Sequence, residues 1–298
     1  MPFIWIPIVV LGSAFQTARN ALQRSLVETA GPWGATLVRF LFGLPFAIVW
    51  AGAATLIWGG GHAGEFHLWH FVAAAASGAL AQIIATAALL LSMRKSNFAV
   101  GAFFQQTSLP FTALSGFLFG DTLGAVALFG VAITTVGLFI LSWPRQTDGV
   151  RSWSATRYGL LCGVAFGISG NAFREATHAV SLANPAFAAA VTLMAVQALQ
   201  SVGLSSYLAA TDRPALKAAV GAWRVSLGAG FCGWAASACA FTALALAPAA
   251  MVRVVAVVDM PFSAIAGRGV FLERLTLRQI MGATIIAIGV VACALGYK

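Results

Sequence analysis

"MPFSAIAGRGVFLERL", Met260 to Leu275, repeats in altered form "LPFTALSGFLFGDTL", Leu109 to Leu123. Laid over each other at an offset of 151, the two stretches pair Pro110 with Pro261, Thr112 with Ser263 and Gly116 with Gly267. One extra residue in the later stretch then pairs Asp121 with Glu273, Gly130 with Gly282 and Gly137 with Gly289. The same offset carries "GSAFQTARNA" (Gly12–Ala21) onto "GVAFGISGNA" (Gly163–Ala172), matching Gly12 with Gly163, Phe15 with Phe166 and Asn20 with Asn171. A proline, an asparagine, an acid and several glycines recurring in one order point to an internal duplication.

The duplicated material is apolar. Of 298 residues, 60% are hydrophobic and 8% charged, with mean hydropathy +0.90. Soluble domains sit near ~45–50% apolar and ~25% charged, so the composition is that of an integral membrane protein. A helix needs about 20 apolar residues to cross the hydrocarbon core. Ten such segments can be marked, near 3–24, 32–57, 68–92, 97–119, 122–142, 156–176, 184–209, 222–246, 250–270 and 276–296. Strand-like alternation is absent, so the expected class is all-α, with ten transmembrane helices rather than barrel strands. The widest polar stretch, Trp143 to Arg157, divides one membrane domain (1–298) into five-helix repeats over 1–146 and 154–298. An odd number of spans per repeat inserts the two repeats in opposite orientations. That is the inverted-repeat plan of secondary transporters, whose substrate site lies near the midplane between the repeats.

Several other functions fit poorly. A net charge of +9 would suggest nucleic acid in a soluble chain, but here the basic residues occupy short loops without a basic-aromatic surface. Cys162, Cys232, Cys239 and Cys293 lie in apolar segments without CxxC spacing and read as packing residues. The N-terminal "MPFIWIPIVVLGSAF" lacks a basic n-region and reads as the first permanent span. No GxxxxGK[ST] nucleotide loop and no HExxH motif occur, so neither an ATP engine nor an intramembrane enzyme is expected. His62, His67 and His70 cluster around one loop without further ligands at metal-site spacing, and no metal or cofactor is expected.

The landmarks resemble the ten-helix EamA-type branch of the drug/metabolite transporter superfamily. They are "GSAFQTARNA" in the first span, "LVRFLFGLP" (Leu37–Pro45) in the second, and proline-bearing fourth and ninth spans, each followed by an acid, Asp121 or Glu273. The resemblance covers nearly the whole chain. It implies alternating-access movement of small solutes, commonly amino acids and other metabolites. It also implies a cavity lined by helices one to four and six to nine, with five and ten packed together. Asp121 stands where the family more often has glutamate, and the Arg253/Asp259 pair is not general to the family. Loop cations divide twelve to two in favour of the loops after spans one, three, five, seven and nine. The positive-inside rule therefore predicts both termini outside the cytoplasmic membrane, against the usual family orientation.

Charged residues inside spans are costly and mark function. Residues three, four or seven apart share a helix face. Span one aligns Gln16, Arg19, Asn20 and Gln23; span four aligns Gln105, Ser108 and Thr112 beside Pro110. Span nine sets Asp259 and Ser263 one turn apart, at the positions the offset equates with Ser108 and Thr112. Gln82 and Thr86, Asn171, and Trp234 with Ser237 complete a mid-depth polar set. Arg19 and Arg39 are candidates to clamp a carboxylate. Arg253 either lines the site or snorkels to the interface. In a continuous helix it stands about 120° from Asp259, too far round to pair with it. Pro110 and Pro261 read as kinks, either gating or fixed. Asp121 and Glu273 suit helix N-termini, and the glycine pairs suit close helix packing. The expected function is secondary transport of a small polar metabolite. An amino acid or similar zwitterion leads, and a carboxylate-bearing anion or a passive channel is the alternative. Membrane lipid, the solute and a coupling proton are the expected partners, with no nucleic acid, for a monomer or homodimer.

Overall fold

The computed structural model describes residues 3–58, 66–95, 105–118, 124–142, 153–181, 184–259, 262 and 277–296. Pro261, Ser263, Asp121, Glu273 and His62 fall outside this set. Among the described residues 93% is helix and none is in a strand. The elements are α1 (Trp5–Leu41), α2 (Leu44–Trp58), α3 (Leu68–Lys95), α4 (Ser108–Leu118), α5 (Ala125–Ser142) and α6 (Trp153–Val180), then α7 (Pro185–Thr211), α8 (Arg213–Gly221), α9 (Trp223–Leu246), α10 (Ala249–Ala256) and α11 (Leu277–Leu295).

Four helical stretches, Trp5–Trp58, Leu68–Lys95, Pro185–Thr211 and Trp223–Leu246, are long and apolar enough to cross a membrane. The distribution of side chains fits that medium. Val49, Leu56 and Leu118 are 72%, 87% and 87% exposed, whereas Arg19, Asn20, Gln23, Arg39, Gln105, Gln106 and Asp259 are buried. Water selects the opposite arrangement. The chain is a membrane protein that keeps its polar side chains inside.

α1 holds two helical arms joined at Gly31, whose φ of 66° and ψ of 172° are non-helical. Pro32 disfavours helix at the preceding residue and starts the second arm without losing a needed donor. Thr36 Oγ1 donates to the Pro32 carbonyl at 2.7 Å. Gln23 Nε2 donates across the bend to the Ala35 carbonyl, also at 2.7 Å. The second arm and α2 are separated by a turn at Phe42–Gly43. There Gln197 Nε2 of α7 donates to the carbonyls of Arg39 and Phe40, at 3.4 and 3.3 Å. These contacts anchor Arg39 at a junction of three elements, because the Gly43 turn also abuts Gly230 of α9.

The long helices pair off: α1 lies along α9, α3 along α6 and α5 along α11. α2 packs on α7, and α4 packs on both α6 and α10. Backbones meet where glycines permit. A Cβ on Gly130 would stand 2.6 Å from the Cys293 nitrogen; on Gly137, 2.8 Å from that of Ile286; on Gly289, 2.7 Å from that of Thr134. Small residues of this kind substitute van der Waals contact for a hydrophobic force that lipid does not supply.

Two spans expected to be continuous are interrupted. Gln105 and Gln106 are helical, Thr107 is a turn and α4 begins at Ser108, so Pro110 sits in the first turn of α4 instead of kinking a helix interior. α10 likewise stops at Ala256. Val257 and Val258 form a turn closed by N–H donation to Val254 and Val255, at 3.3 and 3.1 Å, and Asp259 is helical again. The angular separation of Arg253 and Asp259 that a continuous helix would impose therefore does not apply.

Gly137→Leu is expected to lower the Tm of detergent-solubilised protein by several degrees, since overpacking costs about 1–3 kcal/mol. Gly52→Leu, where an added Cβ meets nothing within 4 Å, should leave the Tm unchanged. Gly31→Ala also meets no atom within 4 Å, yet it should cost about 1–3 kcal/mol because its backbone conformation is a glycine one. An unshifted Tm would mean that the bend is not held in that geometry.

Candidate functional site

The two helix interruptions face each other, and the buried charges collect there. Asp259, 4% exposed, follows the α10 turn. It accepts hydrogen bonds from Gln16 Nε2 at Oδ2, 3.1 Å, and from Gln106 Nε2 at Oδ1. The carbonyls left at this helix end are taken by α1: Ser13 Oγ donates to Ala256 at 3.4 Å and Thr17 Oγ1 to Asp259 at 3.5 Å. Ser13 and Thr17 are four residues apart and share a face of α1, which is why one helix can serve both.

Opposite, Arg253 Nη2 donates to the Gln105 carbonyl at 3.2 Å and to Ser108 Oγ. Of the two sequence readings, the interfacial one fails here: Arg253 turns inward and ties α10 to the interruption before α4. Asn20 Nδ2 donates to Gln105 Oε1 at 3.0 Å, and Arg19 Nη2 donates to Asn20 Oδ1 at 2.7 Å. Gln16, Gln106 and Asp259 thus form one hydrogen-bonded group and Arg19, Asn20, Gln105, Ser108 and Arg253 another, the two meeting at the adjacent residues Gln105 and Gln106.

Arg39, 4% exposed, enters from the second arm of α1. Its Nη1 donates to Thr86 Oγ1 of α3 and its Nη2 to Ser237 Oγ of α9, each at 3.3 Å. It joins Arg19 over Gly233, where an added Cβ would lie 2.9 Å from Arg39 Cγ and 3.4 Å from Arg19 Cδ. Trp234, the next residue, packs at a tilt against Phe46 and Phe231, at centroid distances of 5.7 and 5.6 Å.

The remaining sequence candidates lie around this centre. Gln82 Oε1 accepts from Gln200 Nε2 at 2.8 Å, and its carbonyl accepts from Thr86 Oγ1 at 2.9 Å. Asn171 Nδ2 donates to the Thr112 carbonyl at 2.9 Å and to Ser115 Oγ at 2.7 Å, one turn further along α4. Gln23 is spent on the α1 bend. His70 Nε2 lies 3.2 Å from Glu175 Oε2 beside a surface cavity of about 690 Å³ that also includes His67 and His178. No group of three such residues in metal-binding arrangement occurs among the described residues.

Sequence reasoning missed Gln106, Gln197 and Gly233. Gln106 is off the Gln105–Ser108–Thr112 stripe of an unbroken helix, and the turn at Thr107 breaks that stripe. Gln197 acts on backbone carbonyls freed by a turn, and Gly233 acts by lacking a side chain. None of these roles leaves a periodic signal.

No family model matches the chain, and no curated protein matches it. A solved structure does. Described only as "Crystal structure of protein", it superposes on 98% of this chain over 97% of its own, with TM-score 0.61 and 16% identity. That likeness is one of fold.

The charge balance is the chemical content of the site. Glu28 and Asp212 are exposed and Glu175 faces His70, so Asp259 is the buried carboxylate among the described residues. Arg19 and Arg253 lie near it, Arg39 lies beside Arg19, and none of the three guanidiniums has a carboxylate oxygen within 4 Å among the described residues. Arg19 Nε and Nη1, Arg39 Nε and Arg253 Nε make no hydrogen bond. Buried donors and charges left in this condition are expensive.

Asp259→Asn removes the one buried carboxylate among the described residues and is expected to destabilise the protein by about 3–5 kcal/mol. Adding Arg253→Gln should recover part of that loss, with a coupling of about 0.5–3 kcal/mol in a double-mutant cycle of unfolding free energies. Strict additivity would mean that the two charges do not feel each other.

Proposed function

We propose that the chain is a secondary carrier of the EamA-type drug/metabolite transporter kind, with ten spans in two inverted five-helix repeats. It moves a small carboxylate-bearing metabolite across the cytoplasmic membrane by alternating access. The observation that carries this reading is the pair of facing helix interruptions, with three inward-turned guanidiniums and one carboxylate, among the described residues, gathered beside them. Irregular backbone is tolerated at membrane depth where it is buried in protein or lines a cavity. Carriers of this architecture bind their solutes at discontinuous helices between the repeats.

The packing supports the repeats. Exchanging the halves at the offset of 151, or 152 beyond the inserted residue, carries the α1–α9 pair onto α6–α3 and returns α2–α7 and α5–α11 to themselves. Each of these pairs is in contact. Individual residues follow the same exchange. Gly137 faces Gly282 and Ile286, and its mate Gly289 faces Gly130 and Thr134, the mates of Gly282 and Ile286. The turns also correspond, since Thr107 and Val258 are 151 apart, each three residues before its proline.

Between the two solute classes left open by the sequence, the site favours the anion. A carboxylate finds free N–H donors on Arg19 and Arg39. An ammonium would find Asp259 already holding two amides and flanked by the fields of Arg19 and Arg253. Pro110 and Pro261 would then mark where the interrupted helices flex during the transport cycle. The loop cations put both termini outside.

Purified protein in proteoliposomes should show saturable counterflow of small carboxylates without ATP. Arg39→Gln should raise KM roughly ten- to hundredfold, since a charged hydrogen bond contributes about 1.5–3 kcal/mol. Flux that does not saturate would indicate a channel, and absence of flux for every solute class would remove the carrier reading.

A further inference from the structure

Building on the carrier reading, we propose that the solute is a small dianion whose two negative charges are held by Arg19 and Arg39 side by side, with Gly233 setting their spacing. The two arginines enter from different arms of α1, and their aliphatic stems pass over the same glycine of α9. Arg19 is 1% exposed and Arg39 4%. Their hydrogen bonds go to neutral groups only: Asn20 for Arg19, and Thr86 and Ser237 for Arg39. Three N–H-bearing nitrogens, Arg19 Nε and Nη1 and Arg39 Nε, remain without a partner.

The charges acting on each arginine fix how much negative charge is missing. Asp259 acts on both Arg19 and Arg253, so one carboxylate is divided between two cations. Arg39 has Arg19 beside it and no carboxylate oxygen within 4 Å among the described residues. Among the described residues the cluster therefore carries a formal surplus of two positive charges, three arginines less one aspartate. A monoanion leaves one of these unbalanced in a low-dielectric interior. A zwitterion leaves both and adds an ammonium beside guanidiniums. A solute with two negative charges balances the cluster, and two forks placed together can each take one oxyanion group. Trp234 Nε1, also buried and unpartnered, sits on the same turn of α9 as a neutral donor for a remaining oxygen.

The spacing depends on Gly233. A methyl there would press on Arg39 Cγ at 2.9 Å, near the root of the side chain, where the stem cannot yield without moving its guanidinium. Gly233→Ala should therefore disturb dianion binding while leaving every charge in place.

The test is binding to full-length protein in detergent, read as thermal stabilisation and as an apparent Kd. The probes are succinate, sulfate, butyrate and alanine, with counterflow of each in proteoliposomes. Wild type should bind succinate at least tenfold more tightly than butyrate and show no stabilisation by alanine. Arg39→Gln and Gly233→Ala should each reduce the succinate-to-butyrate preference to within twofold of unity, and Gly233→Ala guards against a fold defect from charge removal. Sulfate binding that matches succinate and is lost in the same variants also supports the dianion seat, and assigns it to a compact oxyanion. Butyrate or alanine binding as tightly as succinate in wild type, with counterflow of that solute intact, overturns the dianion proposal and leaves the carrier reading standing. Failure of all four probes to bind or exchange overturns both.

Discussion

Backbone carbonyls and charges that cannot reach water must be satisfied by the protein, and the interior of this chain is organised around that constraint. A turn at Thr107 and another at Val257–Val258 interrupt helices inside an apolar bundle. Each interruption frees polar groups, and each is met from another element: Ser13 and Thr17 of α1 serve the second, and Arg253 of α10 serves the first. The turn after Arg39 is met in the same way by Gln197 of α7. Polar residues that look like a binding site in sequence are thus of two kinds. Some are consumed in holding broken helices, and others retain unused hydrogen-bonding capacity. Arg253 belongs mainly to the first kind, and Arg19 and Arg39 to the second.

On the inverted-repeat reading, one scaffold carries two unlike halves. The mates of Arg19 and Arg39 at the offset of 151 are Gly170 and Ala190, and the mate of Asp259 is Ser108. Symmetry survives where it sets backbone distance, as in the reciprocal glycines of α5 and α11. It is lost at the buried charges, which all stand against uncharged mates. Asn20 and Asn171 keep their identity yet differ in use. Both reach the α4 region, one through the Gln105 side chain and the other through the Thr112 carbonyl.

The helical class and the gathering of these polar residues were legible because both follow from periodicity. Apolar runs mark the helices, and residues three or four apart on α1 bring Gln16, Arg19 and Asn20 to a common face. What periodicity cannot encode is where a helix stops. A proline announces a lost donor, and the expectation of a kink at Pro110 follows from that. The turn instead falls three residues earlier, where it relieves the clash of the ring with a preceding carbonyl and leaves Pro110 in a first turn that needs no donor. From that displacement comes the missed Gln106. The Gly31 bend, by contrast, is written locally in the Gly-Pro pair, although the bond from Gln23 that braces it is not.

The placement of the two guanidiniums also bears on how a ligand could move this protein. A ligand shifts a conformational equilibrium only through a difference in affinity between states. Arg19 and Arg39 lie on opposite sides of the Gly31 bend, so any change in the angle between the arms of α1 changes their separation. Without an anion their mutual repulsion favours the arrangement that parts them. With a dianion between them the preference reverses, because the arrangement that brings both forks onto the solute gains the most contacts. Charge balance and conformational change are then a single effect, and a monoanion, which weakens the repulsion without bridging the pair, would bind without closing the site as far.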